Sequence, residues 1–292
     1  MERTPSKPMA ALWMAGWLAL MLMITVAGRE VLRELNVFQL ILIRSSVGLL
    51  LLYPLIHRAG GFAAIRTQRL PLHIGRNTIH FGAQLGWFFA LTLIPIGQVV
   101  AIEFTMPIWT AIVAALFLGE RVTLWKFGAI VLGIIGVVTI VRPAAGEINI
   151  GQLIALAAAV GFGVSVAMVK SLTRTEQTVT IVLYMALVQV VGSLLPGLYV
   201  WTWPSPTAWG WAIVVAFCGT FSHYCMTRAM LYADATVVVP MDFLRVPLTA
   251  LMGWLLYSER LDAFTVLGAA LILTGNFLNL RPGSPAPARA ST

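Results

Sequence analysis

The stretch ALFLGERVTLWKFGAIVLGIIGVVTIVRP, residues 115–143, has a counterpart in GWLLYSERLDAFTVLGAALILTGNFLNLRP, residues 253–282. Each places a Glu-Arg pair after an apolar run, follows it with a second apolar run and closes on Arg-Pro. Glu120 and Glu259 are 139 positions apart, as are Arg121 and Arg260, Gly136 and Gly275, Arg142 and Arg281, and Pro143 and Pro282. The same offset carries Ala90 to Ala229, Phe104 to Phe243 and acidic Glu103 to acidic Asp242. Leu and Ala would match by chance in an apolar chain. Polar and Gly positions matching at one ungapped offset mark a tandem duplication.

The chain around these stretches is apolar throughout. Hydrophobic residues make up 59% and charged residues 10%, and the mean hydropathy is +0.89. Soluble domains carry about 25% charged residues. Runs of about 18–20 apolar residues, enough to cross ~30 Å of hydrocarbon, recur from end to end. Ten are read, at 9–28, 37–57, 72–93, 96–118, 124–141, 149–170, 179–200, 208–231, 235–257 and 263–280. The first is long for a cleaved signal and lacks a small-x-small site after it, so it reads as a retained helix. The net charge of +8 gives no nucleic-acid patch, because the basic residues stand at span ends. With the N-terminus in the cytoplasm, eleven of them fall on the cytoplasmic side and four (Arg29, Arg33, Arg142 and Arg260) on the other. That bias places both termini in the cytoplasm.

Ten spans in two copies means five per copy. An odd number forces the second copy to enter the membrane from the opposite face. The expected fold is therefore all-α and integral to the membrane, with ten transmembrane helices in two inverted five-helix repeats. The repeats are read as residues 1–143 and 144–282, with 283–292 a disordered tail. Inverted repeats are a signature of secondary transporters, whose site lies near the midplane between the halves. Gly128, Gly133 and Gly136 in span five and Gly268 and Gly275 in span ten suit close helix packing. The Glu-Arg phrase reads as architecture that caps the incoming helix and anchors a turn.

The stretches PIWTAIVAALFLGERVTLWKFGAIVLGIIGVVTIVRP and VPLTALMGWLLYSERLDAFTVLGAALILTGNFLNL resemble the drug/metabolite transporter superfamily in their Pro, Glu-Arg and Gly spacings. The likeness is to its ten-helix type with two EamA domains, and it covers nearly the whole chain. It extends to Arg44 in span two, where such proteins commonly carry an Arg. The resemblance implies a ten-helix bundle around a central cavity, with helices three, four, eight and nine among its walls. It further points to bacterial exporters of amino acids, aromatic ones included, as functional relatives.

Ionisable residues inside spans cost about 2.5–3.5 kcal/mol each on insertion scales, so each needs a reason. Arg44, Glu103, Asp242 and Arg245 stand out, two positive and two negative. Asp242 and Arg245, three residues apart on one helix, can pair directly. Arg44 from a neighbouring span is the expected partner of Glu103. Structural neutralisation and a cavity role both stay open. Asn77, His80, Gln84 and Trp87 share one face of span three, which must point inward or line water. Gln84 plus the offset is His223, so His223 and Tyr224 are the second-half candidates. Phe162, between two glycines, and Met106, beside Pro107, complete the candidate set. Pro240 and Pro247 bracket Asp242 and Arg245. Such prolines free backbone carbonyls, which are tolerated at membrane depth where they face protein or cavity water.

The four histidines are scattered, Cys218 and Cys225 are too far apart on one helix for a disulfide, and no phosphate-binding or nucleophile motif appears. No cofactor or metal is expected. The expected function is a secondary transporter of small organic solutes in the bacterial inner membrane, exporting amino acids by alternating access. The partners are an amphiphilic small molecule and membrane lipid, with the proton a candidate coupling ion. Uptake of a nucleotide-like or drug-like metabolite is the alternative. A membrane enzyme acting on a lipid is the reading from another class.

Overall fold

The computed structural model of the protein describes residues 6–58, 60–61, 66–117, 124–141, 149–172, 175–230, 232 and 241–279. Glu120, Arg121, Arg142, Pro143, Pro240, Arg281, Pro282 and the segment 283–292 lie outside the described residues. The helices are α1 (Lys7–Val31), α2 (Val37–Arg58), α3 (Leu70–Leu93), α4 (Ile96–Glu103), α5 (Met106–Phe117) and α6 (Leu124–Val141). The second half holds α7 (Ile150–Leu172), α8 (Thr178–Tyr199), α9 (Pro206–Met230), α10 (Arg245–Tyr257) and α11 (Ala263–Asn279). Among the described residues, five segments are long and apolar enough to span a bilayer by length and composition: Pro8–Val31, Val37–Arg58, Ile96–Val113, Ile150–Val169 and Val179–Tyr199. The fourth span is thus α4 and α5 together, and the fold is the ten-helix membrane bundle expected. Leu50, Leu116, Val191 and Leu195 face outward, as lipid contact requires.

The packing repeats when the halves are exchanged. α1 lies along α9, and its counterpart contact is α7 on α3. α5 meets α7, and correspondingly α1 meets α10. Three pairings map onto themselves: α2 with α8, α6 with α11, and the fourth span with the ninth, seen here as α4 on α10. These are the pairings of a pseudo-two-fold axis that relates inverted halves.

Glycines locate that axis between α6 and α11. A Cβ on Gly136 would lie 2.7 Å from the Gly268 carbonyl oxygen, and one on Gly268 would lie 2.6 Å from that of Gly136. One on Gly275 would lie 2.9 Å from the Ala129 oxygen. Gly136 and Gly275 are 139 apart, and so are Ala129 and Gly268, so the second contact is the first turned about the axis. Without a side chain in the way, backbones pack where lipid gives no hydrophobic drive.

The helix breaks also repeat. Pro107 has no N–H to offer the carbonyl of Glu103, four residues back, and its ring crowds that position. α4 therefore stops at Glu103 and α5 starts at Met106. Pro247 does the same to Phe243, and α10 starts at Arg245, 139 positions after Met106. Phe104 and Phe243, equivalent residues at the two breaks, meet edge to face with centroids 5.8 Å apart.

Acids tie the halves together at both ends of the bundle. Glu259 accepts from Arg29 of α1 and from the backbone N–H of Ile96 at the start of α4. Asp262, not the Glu-Arg pair, caps the incoming α11 through the Thr265 N–H at 2.7 Å. The second copy of the phrase is architectural as expected, but it caps the other half's helix. At the same end, Glu34 between α1 and α2 accepts from the N–H and hydroxyl of Ser205 before α9. Those bonds hold its carboxyl below the usual range. At the opposite end, Glu176 between α7 and α8 accepts from the Thr67 hydroxyl before α3. The two devices are counterparts, each joining the first loop of one half to the third span of the other.

Replacing Gly268 with valine should cost about 1–3 kcal/mol as overpacking, read as a lower melting temperature of the detergent-solubilised protein. Gly128→Ala is the control. Among the described residues its new methyl would meet Leu278 alone, at 3.9 Å, and it should melt no lower than the parent.

Candidate functional site

The acids expected to matter meet where both halves break. Arg245, 4% exposed, donates from NH2 to Glu103 Oε1 at 2.9 Å and stands with Nε 3.5 Å from Asp242 Oδ1. Its guanidinium carbon lies 4.8 Å from the Phe104 ring centre. Each acid also receives an indole. Trp87 of α3 donates to Glu103 at 2.8 Å, and Trp17 of α1 donates to Asp242 at 2.6 Å. The free carbonyl of Phe104 at the break accepts from Asn276 of α11 at 2.8 Å. Equivalent positions of the two copies thus share one cation on the symmetry axis. Two carboxylates against one guanidinium leave the centre one formal negative charge in excess.

Arg44 is elsewhere, and its expected pairing with Glu103 does not form. Its Nη1 donates to Gln189 Oε1 at 3.1 Å, and its Nε has no hydrogen-bond partner among the described residues. Ser45 donates to the same Gln189 oxygen at 2.8 Å, and the Gln189 amide donates to Gln84 at 2.6 Å. The reason is topological: α2 packs against α8 rather than against α4. A Cβ on Gly219 of α9 would lie 2.7 Å from the Arg44 guanidinium, so that glycine makes room for it.

α3 joins the two centres. Gln84 belongs to the Arg44 network and Trp87 to the acid centre, three residues or about 4.5 Å apart along the axis. Higher on the same face, His80 lies 3.3 Å from the Ser165 hydroxyl and 5.2 Å from the Phe162 ring. Asn77 is fully buried and accepts from Arg76. Met106 is half-buried at the start of α5, where its carbonyl accepts from Thr110. The backbones of His223 and Tyr224 lie in α9, and their side chains are outside the described residues. A groove of about 490 Å³ opens away from these centres, on the other face of α3, between Leu85, Phe89 and the α1–α2 turn.

Set beside known proteins, residues 8–142 and 149–281 match the EamA-like transporter family, one match for each half. The chain belongs to that family. A riboflavin transporter of Brucella anthropi is 33% identical over 82% of this chain and 86% of its own. An S-adenosylmethionine uptake transporter of Rickettsia prowazekii is 26% identical over 73% and 72%. The pseudopaline exporter CntI of Pseudomonas aeruginosa is 27% identical over 84% and 86%. A solved crystal structure, 18% identical, superposes with a TM-score of 0.66 over 94% of this chain and 97% of its own, which shows the shared fold.

Several residues of these two centres in the EamA-like chain escape sequence reading. Gln189 is a lone amide in an apolar span, with Leu50 at the equivalent position. Trp17 looks like an ordinary aromatic of the first span. Arg76 sits in the second turn of α3, where it reads as a span-end cation, yet it is 7% exposed.

Gln189→Leu strands Arg44, Ser45 and Gln84 together. Each buried group left unsatisfied costs about 1–3 kcal/mol, so the variant should melt well below the parent. Gln189→Glu keeps the acceptor and adds a charge partner for Arg44 while giving up the donor to Gln84, so it should melt above Gln189→Leu.

Proposed function

We propose that the protein carries a small ring-bearing metabolite with a polar, charged end across the bacterial inner membrane by alternating access. One observation carries this reading. Glu103 and Asp242, the same position in two inverted copies, converge on Arg245 at the helix breaks. A site on the pseudo-symmetry axis is equidistant from both faces, and exchanging the conformations of the halves would expose it to each in turn. A charge centre there answers to polar groups of the cargo, and its excess negative charge suits an ammonium or a coupling proton. Phe104, Phe243, Trp87 and the His80–Phe162 pair supply ring surfaces around it.

The cargo class draws support from the relatives. Riboflavin and S-adenosylmethionine, named for two of them, each join a flat nitrogen heterocycle to a polar chain. That chain is neutral in riboflavin and charged in S-adenosylmethionine, so both support the ring and the second supports the charged end. Uptake of such a heterocyclic metabolite therefore moves ahead of the export of amino acids that the sequence suggests. Aromatic amino acids share the pattern of ring and charged end and form a narrower version of the same proposal. Arg44, Asn77, His80, Gln84, Trp87, Glu103, Met106, Phe162, His223, Tyr224, Asp242 and Arg245 remain the proposed cavity residues.

Counterflow in liposomes holding purified protein tests this, with riboflavin, S-adenosylmethionine, the aromatic amino acids and aliphatic amino acids as the panel. Ring-bearing solutes with a charged end should cross and be recovered unchanged, ahead of riboflavin, whose chain is neutral. Equal movement of the aliphatic members refutes the cargo class, and chemical conversion would point to an enzyme instead. Glu103→Gln should slow counterflow by about tenfold or more, the size of one lost charge-assisted contact. If both Glu103→Gln and Asp242→Asn match the parent at every pH, the acids are structural.

We further propose that both termini are cytoplasmic, on the eleven-to-four charge bias. A reporter active only outside the cytoplasm should stay silent when fused to the C-terminus, and a strong signal would reverse the topology.

A further inference from the structure

A second group of buried side chains lies near the start of α3, outside both centres described above. His73 and Asn77 are fully buried, and Arg76 between them nearly so. Arg76 NH1 donates to Asn77 Oδ1 at 2.6 Å, and that is where the satisfaction ends. Arg76 Nε, the Asn77 amide nitrogen and both ring nitrogens of His73 have no hydrogen-bond partner among the described residues. No carboxylate pairs with Arg76 among the described residues. The acid next in reach, Glu176, stands 3.9 Å from His73 Nε2 and is engaged by Thr67. Tyr184 of α8 closes one side, its ring 4.6 Å from that of His73.

Buried donors without acceptors are unfavourable and rare, and a cation inside a span is more so. Here the unused groups come from three neighbouring positions of one helix, and an acceptor-rich anion would satisfy them together. The site also has a direction. Arg76 is about 9 Å along α3 from its first residue, and Gln84 is about 12 Å further on. His73 faces Tyr184, and Gln84 faces Gln189, so the same α3–α8 seam leads from Arg76 to the Arg44 network. Arg44, like Arg76, has an unused Nε and no carboxylate partner among the described residues.

We propose that Arg76, Asn77 and His73 form an anion station, which holds an acidic group of the cargo between one membrane face and Arg44. The proposal rests on the transporter reading and adds a charge class to it: the cargo carries a carboxylate or a phosphate. A guanidinium and an amide recognise either group through charge-assisted hydrogen bonds. Two successive stations, with no carboxylate on either guanidinium among the described residues, let an anion enter and still leave.

Titration of the purified full-length protein tests the station. Melting temperature is followed against sodium phosphate and sodium acetate, with sodium chloride at equal ionic strength as reference. Each anion is added to the parent and to Gln189→Glu, in which Arg44 already has a carboxylate beside it. Saturable stabilisation above the chloride reference is expected in both proteins. Asn77→Asp, built in each, places a carboxylate on Arg76 without orphaning it, and should raise the half-saturating concentration about tenfold or more. It serves even where Arg76→Gln fails to fold, and Arg76→Lys should keep a weaker response. A response to phosphate alone or to acetate alone supports the station and separates the two cargo chemistries. No stabilisation by either anion, or a half-saturation unmoved by Asn77→Asp, overturns it and leaves the donors to water. This readout uses no cargo, so liposomes that move no ring-bearing solute would refute the cargo class and not the station.

Discussion

A guanidinium held between two carboxylates in the middle of a membrane constrains everything around it. Arg245, Glu103 and Asp242 are each costly in hydrocarbon, and none is stable there without the others. Removing one partner of a buried ion pair typically costs about 3–5 kcal/mol. Their convergence requires α4 and α10 to touch, and it requires both helices to break where their acids sit. Pro107 and Pro247 supply the breaks, and Phe104 and Phe243 fill the space between them. The freed carbonyl of Phe104 is then answered by Asn276. One charge cluster thus explains two prolines, two aromatics and an amide on a third helix.

The duplication supplies a symmetric frame, and the polar groups on it are not symmetric. Arg245 has Met106 at its equivalent position, Trp87 has Met226, and Gln189 has Leu50. One arginine therefore serves both acids, and the indoles that steady them come from α3 on one side and α1 on the other. Equivalent acids reach similar chemistry through unlike neighbours. The frame itself is kept by contacts that do repeat, such as Gly136 with Gly268 against Gly275 with Ala129. The ties of Glu34 to Ser205 and Glu176 to Thr67 repeat at opposite ends. Such a division leaves the frame symmetric while the polar centres inside it are not.

The polar face of α3 shows how far pattern reading reaches. Spacing places Asn77, His80, Gln84 and Trp87 on one face, and the structure gives each a polar contact there. Spacing does not reveal that this face passes from a guanidinium network to an acid centre within one turn. Nor does it show that Arg76, a basic residue near a helix end, is buried. Position near the end of an apolar run suggests water, and only the packing of α7 and α8 around α3 removes it.

Ten spans, their duplication, the inversion and the positions of the breaks were all determined by the sequence alone. Each follows from a property that is local or periodic along the chain: apolar length, a constant offset, an odd count and a missing N–H. Pairings across the bundle were decided by the tertiary structure. Arg44 in the second span and Glu103 in the fourth carry opposite charges, and charge alone would join them. The packing of α2 on α8 and of α4 on α10 separates them, giving Arg44 to Gln189 and Glu103 to Arg245. Hydrogen bonds and ion pairs act over about 3 Å, and which helices come within that distance depends on the whole bundle's packing.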